Sequence, residues 1–304
     1  MTWLWFALLA SSAWAVVQLV DKTLISSEAP SPRHYLVASG VAALVPTILM
    51  PLLLTSFVTF PGPAMAAGGI FAGVLYFASN AFFFKALLDM DASLSAAALA
   101  AVPGLTAIGS WLILSETIGW LPVAGLVAIA GGVIVMSEAP REARRVRPPL
   151  KAWGSLTIAG LLLVAEYLIE GTIVQDMHPL DVFFWTRVGV VLSVVVFAAL
   201  RWRFVRETIR WAFVERRRVG ALTVSNEALD MGAIACLIAA FSAGPVGLST
   251  AVAYTQAAFV FVFTLMANAV VPGTIPTNSD KKGGITWRAI GLLVVVLGVF
   301  LTTT

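Results

Sequence analysis

Four carboxylates and one guanidinium fall inside stretches that are otherwise apolar. Glu166 and Glu170 are spaced i,i+4 and Glu227 and Asp230 are spaced i,i+3, so each pair shares one face of a helix. Asn226 stands beside the second pair, and Arg187 is the lone deep cation. An ionisable group at the centre of a hydrocarbon layer costs about 2.5–3.5 kcal/mol on insertion scales, so its presence implies compensation. Carboxylates around a polar cavity can bind a cation or a proton, and a proton taken up there can be exchanged for a substrate charge. The structural alternative is that Glu166 or Glu170 pairs with Arg187 and simply locks two helices together. No basic residue shares the depth of Glu227 and Asp230, which favours a functional role for that pair.

The elements that hold these groups follow from composition. Of 304 residues, 60% are hydrophobic and 12% charged, against about 45–50% and 25% in ordinary globular proteins. Mean hydropathy is +0.94. A soluble enzyme, a disulfide scaffold and a disordered tail are excluded. Apolar runs between charged or Pro/Gly-rich breaks predict ten membrane-spanning helices, at 2–25, 35–57, 64–88, 93–115, 119–137, 153–175, 180–202, 219–241, 246–270 and 286–303. The runs are continuous rather than alternating, which argues against a barrel. The opening MTWLWFALLASSAW lacks a basic leader and a cleavage site, so an uncleaved first helix is expected. At 1.5 Å per residue, Glu166 lies about 20 Å into the sixth span and Glu170 a turn beyond. Arg187 is about 10 Å into the seventh span, and Glu227 and Asp230 are about 12–18 Å into the eighth, close to mid-bilayer.

Charge orients the spans. Lys22 and Arg33, Lys85, the 141–151 cluster, the seven arginines of 201–218, and Lys281, Lys282 and Arg288 all fall at one side, 18 of the 19 basic residues. Lys and Arg favour cytoplasmic loops, so both termini are expected outside the cytoplasm of a plasma (inner) membrane. The pI of about 9.2 then reflects topology and contact with anionic lipid rather than nucleic acid.

An internal repeat organises the chain. FKALLDMDASLSAAALAAVPGLTAI (84–108) lines up with IAAFSAGPVGLSTAVAYTQAAFVFV (238–262), and DKTLI (21–25) with EGTIV (170–174). Residues 1–138 form the first five-helix repeat, 139–152 a basic cytoplasmic loop, and 153–304 the second repeat. An odd helix number turns the second copy upside down, the architecture of many secondary transporters, with the site between repeats. KALLDMDASLSAAALAAVPGLTAIGSWLILSETIGWLPVAGLVAIAGGVIVM (85–136), with its small-residue helix, Pro103, Glu116 and Gly-rich fifth span, resembles the ten-helix EamA-like branch of the drug/metabolite transporter superfamily. WAVVQLVDKTLI in the first span looks like the aspartate-lysine version found in some members. Ala257 stands in the place of Pro103, and no acid replaces Glu116 in the second half. The resemblance implies transport of small metabolites or drugs, commonly export.

Other polar residues complete the candidates. Ser11, Trp14, Gln18 and Asp21 form a stripe on the first span, where Trp14 and Gln18 could stack against and hydrogen-bond a substrate. Close helix packing with a boundary at Asp21–Lys22 explains the stripe equally well. Tyr76, Ser79 and Asn80 make a polar sector of the third span; Tyr254 and Gln256 lie in the ninth. They are pocket walls or interhelical hydrogen bonds. Pro46, Pro51 and Pro103-Gly104 are kinks or hinges. The GxxxG spacing at Gly69–Gly73 points to helix packing within the bundle. No phosphate-binding loop, metal-ligand spacing or nucleophile set appears, so no cofactor or metal is expected. The expected partners are a small-molecule substrate, protons and membrane lipids, and the expected function is secondary transport by alternating access, as a proton-coupled exporter. A membrane-embedded enzyme acting on a lipid-linked substrate and a non-transporting scaffold are the alternatives.

Overall fold

Apolar side chains that a water-soluble protein would bury lie on the outside of these helices. Leu150, Trp120, Val127, Leu293 and Trp5 are among the most exposed residues, as expected where the solvent is acyl chain. The computed structural model describes residues 2–53, 59–87, 99–136, 149–270 and 282–303. They are all-helical, without strands. The helices are α1 Thr2–Thr23, α2 Pro32–Leu53, α3 Pro63–Leu87, α4 Val102–Ile113, α5 Trp120–Met136, α6 Leu150–Ile173, α7 Pro179–Leu200, α8 Trp202–Ile209, α9 Arg217–Ala243, α10 Val246–Ala253, α11 Gln256–Val270 and α12 Lys282–Thr302. Each of the ten expected spans overlaps a helix among the described residues. Six stretches are long and apolar enough to cross a bilayer by themselves: α1, α3, α6, α7, α9 and the combined α10–α11. The 88–93 break, Arg141, Arg144, Arg145, Arg147 and Lys281 lie outside the described residues.

Two features depart from the expected spans. The ninth is broken: α10 stops at Tyr254–Thr255, where the Thr255 hydroxyl bonds back to the Val252 carbonyl at 2.6 Å and meets Ser11 of α1 at 3.0 Å. Such side-chain bonds compete with the helical ladder. The basic segment after the seventh span is helical rather than a loop. In α8 and the π-helical turn Arg210–Glu215, Val205, Thr208 and Ala212 are buried while Arg203, Arg206 and Arg210 are exposed. His34 of α2 packs on Phe204 there at 4.7 Å between ring centroids. Arg216 reaches Glu28, after α1, at 2.5 Å. This amphipathic hairpin lies along the polar boundary of the bundle.

Small residues set the helix crossings. A Cβ on Gly73 of α3 would come 1.9 Å from the Thr186 carbonyl of α7, and one on Gly189 would come 2.0 Å from that of Ile70. These backbones touch, so only glycine fits. In α5 and α12, Gly125 faces Gly298 and Gly132 faces Gly291, each against the other's backbone, in an antiparallel register. At one end of the bundle Trp3 touches Gly244, Glu116 Oε1 accepts the Val246 N–H at 2.8 Å, and Thr302 packs on Gly125. Both chain ends therefore share that end, opposite the arginine-rich hairpin.

Candidate functional site

The Gly73–Gly189 contact brings Tyr76, one turn further along α3, against Arg187 of α7. The guanidinium carbon stands 4.8 Å over the Tyr76 ring and 5.6 Å from that of Phe183, an arrangement in which ring faces attract the cation. The Tyr76 hydroxyl donates to Asp230 Oδ2 at 2.9 Å, and the Trp14 indole N–H donates to Asp230 Oδ1 at 2.8 Å. Each oxygen of Asp230 is thus held by a donor from a different helix of the first half. Ser39 of α2 donates to Glu227 Oε1. Near the basic end, Asp21 Oδ1 accepts from the Tyr35 hydroxyl and from Asn226 Nδ2, the latter at 2.6 Å. At 1.5 Å per residue, Glu227 and Asp230 stand about 15 and 20 Å from the start of α9.

These groups surround a cavity of about 90 Å³ lined by Asp21, Tyr35, Ser39, Tyr76, Asn80, Arg187, Glu227 and Asp230, with Phe77 and Phe84 as aromatic walls. Three carboxyls face one guanidinium there. Asn80 donates its amide to the Tyr76 carbonyl at 3.0 Å. Drug-sized ligands occupy about 300–1,000 Å³, so this conformation is tight around anything larger than a few atoms.

The other candidates stand apart from the cavity. Trp14 supports Asp230 without lining the cavity, and Gln18, half-buried on α1, does not line it either. Tyr254 sits at the break in the ninth span and interacts with Tyr167 of α6. Glu166 and Glu170 are buried on α6, outside the cavity, and Thr186 donates to Glu170 Oε1 at 3.1 Å. Among the described residues, Arg187 makes no ion pair: those present are Arg210–Glu215 and Arg216–Glu28. The Glu170–Arg187 lock is therefore not formed.

Tyr35, Ser39 and Thr186 escape a sequence search for site residues, and Asp21 enters it only through the polar stripe of the first span. Asp21 and Tyr35 lie at span ends, where polar residues mark boundaries. Hydroxyls such as Ser39 and Thr186 are common in membrane helices. Only the hydrogen bonds of Tyr35 to Asp21, of Ser39 to Glu227 and of Thr186 to Glu170 show that these hydroxyls face acids.

Helices of this length, apolar outside and charged within, define a polytopic membrane protein with an interior polar site. Residues 1–138 match the EamA-like transporter family, a family of the drug/metabolite transporter superfamily. A comparison with curated proteins gives no sequence match. A crystal structure of another protein superposes with a TM-score of 0.61 at 14% identity, covering 99% of this chain and 95% of that one. At that identity the likeness is one of fold.

Proposed function

We propose that this transporter is a proton-coupled exporter of small cationic or zwitterionic molecules, working by alternating access of two inverted five-helix repeats. One observation carries the substrate charge: the cavity between helices of the two halves gathers Asp21, Glu227 and Asp230 around a single guanidinium and two aromatic walls. Carboxylates and ring faces together suit an organic cation. The Arg187 guanidinium offers a place for the carboxylate of a zwitterion.

The repeat has three supports. In the matched stretches 84–108 and 238–262, the turn at Ala100–Ala101 and the break at Tyr254–Thr255 occupy the same aligned positions. Pro103 accounts for the first, since its ring excludes the Leu99 carbonyl; Thr255 accounts for the second. The pairing of α1 with α9 is matched by that of α3 with α6 when the halves are exchanged, while α5 pairs with its own counterpart α12. The antiparallel glycine contacts of α5 and α12 also suit an inverted relation. The cavity lies toward the basic end of the bundle, so a cytoplasmic basic end would load substrate from the cytoplasm and favour export.

Proteoliposomes loaded with ethidium, with and without a pH gradient, test the assignment. Wild-type flux should rise with the gradient, and Glu227→Gln, which lacks a carboxylate of the cavity, should lose gradient-driven flux. Unchanged gradient-driven flux in Glu227→Gln would remove Glu227 from the mechanism.

A further inference from the structure

Arg187 has acids on two sides and a bond to none of them. Its guanidinium lines the cavity with Glu227 and Asp230, and it acts electrostatically on Glu166 and Glu170, which do not line it. Glu166, Glu170 and Arg187 are each 1% exposed. Oε2 of Glu166, Oε2 of Glu170, and Nε and Nη2 of Arg187 have no hydrogen-bond partner among the described residues. Four unpartnered polar atoms in one sealed region mark a site that lacks something.

The charge count says what is lacking. Tyr76 from α3, Arg187 from α7, Asp230 from α9, Tyr254 between α10 and α11, and Tyr167 on α6 itself act on Glu166, and Arg187 and Thr186 from α7 act on Glu170. Glu116, in the segment after α4, is engaged with Val246. No second cation stands among these residues. Two glutamates and Asp230 against one guanidinium leave surplus negative charge away from water, which is unfavourable. A proton on one glutamate reduces the surplus by one unit and gives an orphaned oxygen a partner.

We infer that Glu166 and Glu170 form a proton-binding site separate from the substrate cavity, and that Arg187 is shared between the two. A proton from water forms an O–H bond on one glutamate, and that hydroxyl donates to the facing carboxylate. Gaining the proton reduces the negative charge of the pair by one unit and frees Arg187 to turn toward Asp230, where it competes with a cation. Losing the proton to water draws Arg187 back and leaves Asp230 and Glu227 to the substrate. Proton and cation then exclude one another without sharing a carboxyl. Asp21 and Glu170 are aligned in the DKTLI and EGTIV segments, one in each half of the chain.

The coupling role rests on the transporter assignment, but the proton site is tested without transport. Infrared difference spectroscopy of the full-length protein in nanodiscs, over a pH series, reads the C=O stretch of protonated carboxyls. Wild type carrying isotope-labelled glutamate should show a shifted band that disappears as pH rises. Either Glu166→Gln or Glu170→Gln should lose one carboxyl equivalent of it, because the remaining carboxyl no longer faces a second carboxylate with which to share a proton. In Arg187→Gln the band should persist to higher pH than in wild type. Absence of a protonated-glutamate band in labelled wild type overturns the site without any variant. Retention of the full band in either glutamine variant, or a wild-type titration in Arg187→Gln, overturns it too. A failed flux experiment with an intact infrared result would instead count against the transporter mechanism alone.

Discussion

Asp230 is held by two neutral donors and no bonded cation, so each donor matters. Interhelical hydrogen bonds in membrane proteins average about 0.6 kcal/mol, and a charged acceptor raises the figure to about 1.5–3 kcal/mol. Tyr76→Phe removes the hydroxyl but leaves the ring under Arg187, and should cost about 1–2 kcal/mol. Tyr76→Ala removes the ring as well and should cost about 2–4 kcal/mol. Unfolding of the purified protein in detergent reads the difference; equal losses would show that the ring beneath the guanidinium contributes nothing. Glu116 makes a comparable contribution across the halves, since its carboxylate meets the first N–H of α10 at 2.8 Å. Glu116→Ala should cost about 1 kcal/mol, a typical capping loss, whereas Glu116→Gln keeps an acceptor and should cost less. If Gln proves as damaging as Ala in the same assay, charge rather than the hydrogen bond holds α10. Glu227, Asp230, Tyr76 and Arg187 were legible in the sequence because a polar or charged side chain in an apolar run is conspicuous. Ser39 was not, because a membrane helix accommodates serine for many reasons, and only its partner Glu227 distinguishes it.

Most helix positions among the described residues were legible to within a few residues because bilayer thickness sets a length that apolar runs must meet. Helix contacts were legible only in part. Gly69–Gly73 pointed to packing inside the bundle, and the structure seats both glycines on α7. The α5 sequence AGG, by contrast, does not say which glycine matters. A Cβ on Gly131 would meet nothing within 4 Å, while one on Gly132 would press within 2.7 Å of Val295 and 2.8 Å of the Gly291 carbonyl. Gly131→Ala should therefore be neutral or stabilising by up to about 1 kcal/mol through helix propensity, and Gly132→Ala should destabilise by about 1–3 kcal/mol through overpacking. Thermal unfolding of the two neighbours checks this, and similar midpoints would mean that α5 and α12 are not in backbone contact. The amphipathic α8 was hidden because its arginines read equally well as a basic loop. Its buried face, Val205, Thr208 and Ala212, becomes visible only at helical spacing across a polar segment.

At the scale of the molecule, one polar system runs from Asp21 near the basic end to Glu170 near the other, with Arg187 and Asp230 between. Its orientation in the membrane depends on where the arginines face. The structure ties the two chain ends to the same end of the bundle through Trp3 at Gly244 and Thr302 at Gly125. Exposed arginines of the 201–218 segment stand at the other end, and positively charged segments are retained on the cytoplasmic side. Amino- and carboxyl-terminal fusions to alkaline phosphatase, which is active only outside the cytoplasm, should therefore both be active. The same fusions to green fluorescent protein through a general secretion route should both be dark. Two inactive phosphatase fusions would reverse the bundle, and with it the inference that the acid-lined cavity loads from the cytoplasm, leaving the cavity itself intact. One active and one inactive fusion would go further: α1 and α12 could not then end on the same side, and the symmetric pairing of the two halves would fall.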